Sequence, residues 1–171
     1  MKEKIRVLLI DDNKKEVEKV QEYFSSHAVI EISLIEHNGL EGIKTILDKE
    51  KQYDVIVLDL IMPEQDGFYV LEKLKEKKIE KDIIVISSYN NEDIIREVSN
   101  YGVKYFLLKP FDFSSLEKRI IMLVNQNNST DNSNNSLNIV ITKMLHSLGI
   151  PSHIKGYQYI RDGIGLMYEK S

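Results

Sequence analysis

Five short runs rich in Val, Ile and Leu recur along the first 110 residues, and segments with helical spacing separate them. The runs cover residues 5–10, 29–35, 55–58, 83–86 and 103–108. Their length and β-branched content are typical of strands that are buried on both faces of a parallel sheet. Five such strands alternating with five helices predict an α/β fold, a doubly wound five-stranded parallel sheet.

The segments between the runs place apolar residues on one helical face. The predicted helices cover residues 14–24, 40–47, 68–74, 91–98 and 113–124. On the first two, the residues predicted to face the core are Val17, Val20, Tyr23, Phe24, Leu40, Ile43 and Leu47. In doubly wound sheets the ligand crevice lies beyond the carboxyl ends of the strands, so polar residues there are the candidates for function.

The end of the chain differs in composition from this α/β part. Residues 125–136 read NQNNSTDNSNNS, without an apolar residue, which predicts a linker between a domain at 1–124 and a segment at 137–171. That last segment shows two amphipathic helical patterns, separated by Gly149 and Pro151. A chain shorter than roughly 40 residues seldom folds alone, so we interpret residues 137–171 as the first two helices of an incomplete domain.

Charge and cysteine content exclude several classes of protein. With 23 basic and 27 acidic residues the net charge is −4, so the surface as a whole is not a cationic template for nucleic acid. The absence of cysteine excludes disulfides, thiolate metal sites and a cysteine nucleophile. The first apolar run is too short for a signal peptide or a membrane span. We therefore expect a cytoplasmic protein that does not contact the membrane.

Three carboxylates follow strands of the predicted sheet. Asp11 and Asp12 come directly after the first strand, and Asp59 ends the third. The carboxyl ends of parallel strands share one edge, so these side chains are expected to converge. Each Asp alone is better explained as a helix cap or turn former than as a functional residue. Together they repel one another, and a hard divalent cation such as Mg²⁺ relieves that repulsion.

Two further polar residues end the remaining strands. Ser87 follows the fourth strand, and Lys109 interrupts an apolar run immediately before Pro110. A carboxylate nucleophile, an acidic metal site, a hydroxyl group and an ammonium group are the components of phosphoryl transfer. The sequence therefore predicts phosphoryl chemistry at this edge of the sheet.

These residues resemble the receiver domain of two-component response regulators, which has a flavodoxin-like fold, and the likeness covers residues 1–124. The matching positions are the acidic pair Asp11 and Asp12, the phosphoacceptor Asp59, the signature Met62-Pro63-Glu64-Gln65-Asp66-Gly67, the switch residues Ser87 and Phe106, and the phosphate-contacting Lys109. The resemblance implies a phosphoacceptor signalling protein rather than an enzyme. It also implies a cis peptide between Lys109 and Pro110.

The resemblance implies a mechanism and partners as well. Mg²⁺, or Mn²⁺ or Ca²⁺ in its place, would be held by Asp12, Asp59 and the backbone carbonyl of Ile61, while Asp11 positions a metal-bound water. A histidine kinase or phosphotransferase would be the donor. A homodimer or an effector contact is expected through the face of the fourth helix, fifth strand and fifth helix, with contact residues Ile94, Ile95, Val98, Tyr101 and Phe111.

Residues 137–170, with His153-Ile-Lys-Gly-Tyr-Gln-Tyr-Ile-Arg-Asp162 at their centre, resemble the start of the DNA-binding domain of the stage 0 sporulation protein A family. Members of that family control sporulation transcription. Since the helix that reads the major groove lies further along in the family, DNA binding is expected only when the missing effector helices are supplied. A receiver-only module that exchanges or sequesters phosphate without binding DNA is the alternative.

Two other readings are less favoured by the residues. An aspartyl-phosphate hydrolase normally needs a general acid two positions after its nucleophile, where this chain has Ile61. A flavodoxin-like nucleotide binder needs a glycine-rich loop after the first strand, where this chain has Asp11-Asp12-Asn13.

Overall fold

The computed structural model describes residues 3–128. Its strands are β1 (Ile5–Ile10), β2 (Ile30–Glu36), β3 (Val55–Asp59), β4 (Ile83–Ser87) and β5 (Tyr105–Leu108). Its helices are α1 (Lys14–Phe24), α2 (Gly39–Asp48), α3 (Gly67–Glu76), α4 (Glu92–Ser99) and α5 (Phe113–Asn128), with a 3-10 turn at Glu50–Gln52. The predicted alternation of five strands and five helices is confirmed.

The five strands form one parallel sheet in the order β2-β1-β3-β4-β5. The chain leaves β1 for β2 on one side of the sheet and returns to β3 on the other, so the strand order reverses between β1 and β3. This is the flavodoxin-like, doubly wound arrangement, and its crevice lies at the carboxyl ends of these two neighbouring strands.

The strands alternate their side chains between two cores. In β1, Leu8 and Ile10 face the core covered by α2, α3 and α4, whereas Val7 and Leu9 face the core covered by α1 and α5. Burial on both sides explains why the central strands read as unbroken apolar runs.

Asn or Asp residues begin the first four helices. Each side chain accepts a hydrogen bond from a backbone N–H of the first helical turn, and the capping residues are Asn13, Asn38, Asp66 and Asn91. Such caps satisfy N–H groups that have no partner within the helix. Because every helix follows a parallel strand, all four caps lie on the side of the sheet where the strands end.

The predicted core faces of α1 and α2 are wrong at three positions. Tyr23 is 39% exposed and its hydroxyl donates to Glu117 at the surface. Leu40 and Leu47 are 44% and 40% exposed. The physical reason in α2 is that Gly42 faces β1 so closely that a Cβ there would lie 2.9 Å from the Ile10 side chain. That approach sets the rotation of the helix and turns both leucines outward.

The predicted contact face of α4, β5 and α5 is smaller than expected. Val98 is 2% exposed and belongs to the core, so it cannot contribute to a surface contact. Ile94 and Tyr101 are partly buried against the same core. The exposed apolar side chains of α4 and β5 are Ile95 and Leu108.

Helix α5 is described through Asn128, the last residue that the structure describes, so it continues past the predicted end at Val124 and into the predicted linker. The boundary between the two units of the chain falls between Val124 and Asn125. The remainder of the linker and the helices predicted for residues 137–171 lie outside the described residues. Within residues 3–128, no helix has the length and apolar character needed to cross a membrane.

Candidate functional site

The carboxyl ends of β1 and β3 bring three carboxylates together. Asp11 follows β1, and Asp59 is the last residue of β3, which pairs with β1. Carboxylate oxygens of Asp11, Asp12 and Asp59 all lie within 4.8 Å of one another. The convergence predicted from the sequence is thus present in the structure.

Local hydrogen bonds orient the two buried carboxylates. Oδ1 of Asp11 accepts the backbone N–H of Asn13 at 2.9 Å, and Oδ1 of Asp59 accepts that of Ile61 at 3.2 Å. Asp11 is 2% exposed and Asp59 is 4% exposed. In each case one oxygen is held by the following loop, and the second oxygen faces the site.

Lys109 joins these second oxygens. Its Nζ donates to Oδ2 of Asp11 and to Oδ2 of Asp59, both at 3.1 Å, and its side chain is only 11% exposed. Lys109 follows β5, and its backbone N–H donates to the carbonyl of Ser87 at 2.7 Å. The Lys109–Pro110 peptide is cis. The ammonium group therefore reaches the acidic cluster from the far edge of the sheet.

Burial and charge oppose each other at this site. Burial, with the negative charge of Asp11 as a second cause, raises the pKa of Asp59 to about 7 against the opposing effect of Lys109. Burial alone would lower the pKa of Lys109, but the hydrogen bond to Glu16 and the charges of Asp59 and Asp11 outweigh it, and the pKa is raised. The lysine thus remains a cation next to carboxylates that repel one another.

The acidic cluster fits a divalent cation. Three carboxylates against one ammonium group leave an excess of negative charge in a largely buried place, and oxygen ligands of this kind suit Mg²⁺. Asp12 is the most accessible of the three carboxylates. These residues can therefore hold a divalent metal ion.

The two predicted switch residues lie on neighbouring strands. Ser87 is fully buried at the end of β4, and its Oγ accepts the backbone N–H of Tyr89 at 3.1 Å. Phe106 lies in β5, where it pairs with Val85 and packs partly buried against the α2–α3–α4 core. Ser87 therefore lies at the acidic edge, while Phe106 lies deeper in the sheet.

The loop after Asp59 explains the last two residues of the MP-x-x-DG signature, Asp66 and Gly67. Asp66 caps α3, and Gly67 N–H donates to the carbonyl of Leu60 at 3.0 Å. A Cβ on Gly67 would lie 2.6 Å from the Asp59 carbonyl oxygen and 2.7 Å from Leu60 Cα. Only glycine permits this approach, so the residue keeps the loop folded against the end of β3.

Two site contacts were missed by sequence reasoning. Glu16 accepts a hydrogen bond from Lys109 Nζ through Oε2 at 2.5 Å, and Nδ1 of His37 bonds to the Asp11 carbonyl at 3.0 Å. The spacing Asn13-x-x-Glu16 gives a signal, but it is the signal of an ordinary helix cap. For His37, the only sequence signal of a contact with the site is its position directly after β2.

The fold and the acidic site define the receiver class of signalling domains. Residues 7–121, more than half of the chain, match the family described as response regulator receiver domain, and the chain belongs to that family. Residues 141–171 match a second family, described as sporulation initiation factor Spo0A C terminal. The chain therefore combines a receiver domain with a segment of the Spo0A C-terminal type.

Solved receiver structures are similar in fold. The Francisella response regulator 1452 receiver domain is 28% identical, with a TM-score of 0.64, over 72% of this chain and 98% of that one. A chain in the crystal structure of the CheX–CheY–BeF3–Mg²⁺ complex from Borrelia burgdorferi is 25% identical to this one. The match has a TM-score of 0.64 and covers 70% of this chain and 89% of that one. A Clostridium difficile two-component response regulator, at 22% identity, supports the fold alone, with a TM-score of 0.64 over 74% of this chain and 100% of that one.

Proposed function

We propose that Asp59 accepts a phosphoryl group from a phosphohistidine, carried by a histidine kinase or a phosphotransferase. The observation that carries the proposal is the placement of a buried Asp59 carboxylate 3.1 Å from the Lys109 ammonium nitrogen and beside the acidic pair. Charge on the transferred oxygens needs a nearby cation, and Lys109 supplies one. Membership of the receiver family and the BeF3–Mg²⁺ complex of the Borrelia relative support this assignment.

In the proposed step a carboxylate oxygen of Asp59 attacks the phosphorus of the donor. A phosphorus–oxygen bond forms, and the phosphorus–nitrogen bond breaks. Its electron pair stays on the imidazole nitrogen of the donor, which takes up a proton. The product is an acyl phosphate whose phosphoryl group carries a charge of about −1.5 to −2 by analogy with other phosphorylated side chains, in place of the single negative charge of the free carboxylate. Lys109 enters this step as a cation, because its pKa in the resting protein is raised by the hydrogen bond to Glu16 and the charges of Asp59 and Asp11.

Asp12, Asp59 and the backbone carbonyl of Ile61 are the proposed metal ligands, with Asp11 positioning a metal-bound water. A bound Mg²⁺, or Mn²⁺ or Ca²⁺ in its place, would neutralise part of the charge on the transferred oxygens. The close grouping of the three carboxylates supports this set.

Ser87 and Phe106 are the proposed switch. On phosphorylation the Ser87 hydroxyl would donate to a phosphate oxygen and give up its present hydrogen bond with the Tyr89 N–H. Phe106 would then move into the space vacated, and α4 and β5 would shift together as a two-state surface. Homodimer formation through the exposed side chains of that surface, Ile95 and Leu108, is part of the proposal.

In full-length relatives the proposed output is control of sporulation transcription through DNA binding. The match of residues 141–171 to the Spo0A C-terminal family supports it. A gel-retardation assay with operator DNA and the purified 171-residue chain distinguishes this output from a receiver that only exchanges phosphate. Specific retardation at physiological salt supports DNA binding by this chain, and its absence in the phosphorylated protein favours the receiver-only alternative.

Labelling by a small phosphodonor in Mg²⁺ tests the phosphoacceptor. Mass spectrometry of wild type should show one added phosphoryl group, and Asp59→Asn should remain unlabelled. Asp48→Asn, which changes an exposed aspartate at the end of α2, is the control for loss of one carboxylate and should label like wild type. Undiminished incorporation by Asp59→Asn refutes the assignment.

A further inference from the structure

Glu16, on the first turn of α1, is the third acceptor of the Lys109 ammonium group. Its Oε2 lies 2.5 Å from Nζ, compared with 3.1 Å for Oδ2 of both Asp11 and Asp59. An ammonium group has three protons to donate, so the three carboxylates account for all of them. The Glu16 side chain is 41% exposed, whereas those of Asp11 and Asp59 are 3% and 6% exposed. Glu16 therefore holds Lys109 from the solvent side.

The hydrogen bonds at the start of α1 show that the Glu16 carboxylate does not act as the second half of a capping box. In a capping box, a Glu at this position reaches back to the backbone N–H of the capping residue. Here the N–H of Asn13 donates to Oδ1 of Asp11 instead, at 2.9 Å. The other half of the box is present, because Oδ1 of Asn13 accepts the Glu16 N–H at 3.3 Å. The Glu16 carboxylate is consequently released from the cap and turns to Lys109.

Asp11 therefore contacts both the helix cap at Asn13 and the Lys109 ammonium group. Its Oδ1 accepts the hydrogen bond from the Asn13 N–H that Glu16 would otherwise accept. Its Oδ2 accepts a hydrogen bond from Lys109 Nζ. Helix capping and the position of the ammonium group are coupled through one side chain.

Glu16 differs from the other acidic residues near Lys109 because it lies outside the group that can hold a cation. The group that can hold a cation consists of Asp11, Asp12 and Asp59, and does not include Glu16. A bound cation would compete with Lys109 for oxygens of Asp11 and Asp59, while the Glu16 oxygen stays available to the ammonium group. After phosphoryl transfer Asp59 also loses a free carboxylate oxygen. Glu16 is then the acceptor that does not change.

We propose that Glu16 is a positioning residue, which keeps the Lys109 ammonium group at the mouth of the site while Asp59 is phosphorylated. This inference rests on the proposed function of Asp59. Glu16 acts through Lys109 and does not itself touch the transferred group. Both its negative charge and its reach matter, because the ion pair needs a carboxylate that lies within hydrogen-bond distance of Nζ.

Phosphorylation rates with acetyl phosphate at saturating Mg²⁺ test the proposal. Glu16→Gln should be phosphorylated about fivefold more slowly than wild type, because a neutral amide oxygen replaces the carboxylate and the partly exposed ion pair with Lys109 is lost. Glu16→Asp keeps the charge but shortens the side chain by one methylene, and should be slowed similarly. Glu18→Gln removes the same charge from an exposed position on the same helix and is the matched control, with the wild-type rate.

A second readout does not depend on phosphorylation. In metal-free protein, the Lys109 ammonium protons observed by ¹⁵N NMR should exchange with water severalfold faster in Glu16→Gln and Glu16→Asp than in wild type and Glu18→Gln. Thermal unfolding of all four proteins confirms that each is folded.

The possible outcomes separate the inference from the function on which it depends. A labelled wild type together with a Glu16→Gln rate equal to that of Glu18→Gln overturns the inference alone. A Glu16→Asp variant that behaves as wild type in both readouts also overturns it, because charge without reach would then suffice. An unlabelled wild type overturns the proposed function, and the inference with it.

Discussion

The ammonium nitrogen of Lys109 lies 3.1 Å from Oδ2 of Asp59, although the two residues are 50 positions apart in the chain. Lys109 makes the same contact with Asp11, 98 positions away. One side chain from the edge strand thus bridges the ends of the two central strands. The Lys109 ammonium group therefore stabilises the resting protein and also takes part in the proposed chemistry.

Replacement of Lys109 by Gln should destabilise the metal-free protein. It leaves two largely buried carboxylates without a cation, and breaking a buried ion pair from one side costs about 3 kcal/mol. Urea unfolding in EDTA measures this loss, and Mg²⁺ should raise the stability of the variant more than that of wild type. Lys104→Gln, an exposed lysine before β5, is the control. Equal stability of Lys109→Gln and Lys104→Gln in EDTA would contradict the prediction.

Replacement of Gly67 by Ala should disturb the end of β3. The added methyl would lie 2.6 Å from the Asp59 carbonyl oxygen, so backbone must shift. We expect a loss of about 2–3 kcal/mol in the free energy of unfolding, with weaker Mg²⁺ binding measured by calorimetry. Gly102→Ala meets no atom within 4 Å, but its φ is +76°. It should cost about 1 kcal/mol and leave Mg²⁺ affinity unchanged; a parallel loss of Mg²⁺ affinity in both variants would argue against a local effect.

Ser87→Ala should separate phosphorylation from the switch. The variant keeps Asp59 and Lys109, so labelling should persist, and stability should fall by about 1 kcal/mol because the Tyr89 N–H loses its acceptor. NMR spectra with BeF3⁻ and Mg²⁺ should show smaller shifts at Phe106 and Ile95 than in wild type. Ser88→Ala, at the adjacent exposed position, should respond as wild type does. Wild-type shifts in Ser87→Ala would remove Ser87 from the switch.

Tyr53 should make the protein sensitive to alkaline pH. Burial, with the charge of Glu50 as a second cause, raises the pKa of Tyr53 to about 12, and its hydroxyl donates to the Ile46 carbonyl at 2.9 Å. The folded pKa lies above the unfolded value of about 10. The contribution of Tyr53 to stability is therefore complete below pH ~10 and is lost as the pH rises toward ~12.

Urea unfolding across this pH range checks the Tyr53 prediction. The shift corresponds to about 2–3 kcal/mol. Tyr53→Phe should flatten the alkaline decline and cost about 1 kcal/mol at neutral pH, where the hydrogen bond to Ile46 is lost. Tyr89→Phe, which removes an exposed hydroxyl, should retain the decline. An unchanged decline in Tyr53→Phe would show that other groups cause it.

Sequence reasoning located the acidic cluster because each carboxylate sits where an apolar run ends. Asp11, Asp59 and Ser87 lie within or directly after their predicted strands, and parallel strands bring such ends to one edge. Helix rotation was less predictable. Tyr23, Leu40 and Leu47 fit an apolar spacing, yet the packing of Gly42 against Ile10 turns both leucines of α2 toward solvent. Val98 was expected at a contact face because the family resemblance implied one there, and neither the resemblance nor a helical pattern says which apolar residues the core covers.

The order of residue types along the chain determined the fold class, the strand ends and the chemical groups available there, since burial periodicity and capping are local properties. Tertiary structure alone decided which of those groups touch. Glu16 carries the local signature of a helix cap, and only the approach of Lys109 from β5 and of Asp11 from β1 draws its carboxylate away from that cap. The competition among these partners depends on distances between segments remote in sequence, which no local pattern encodes.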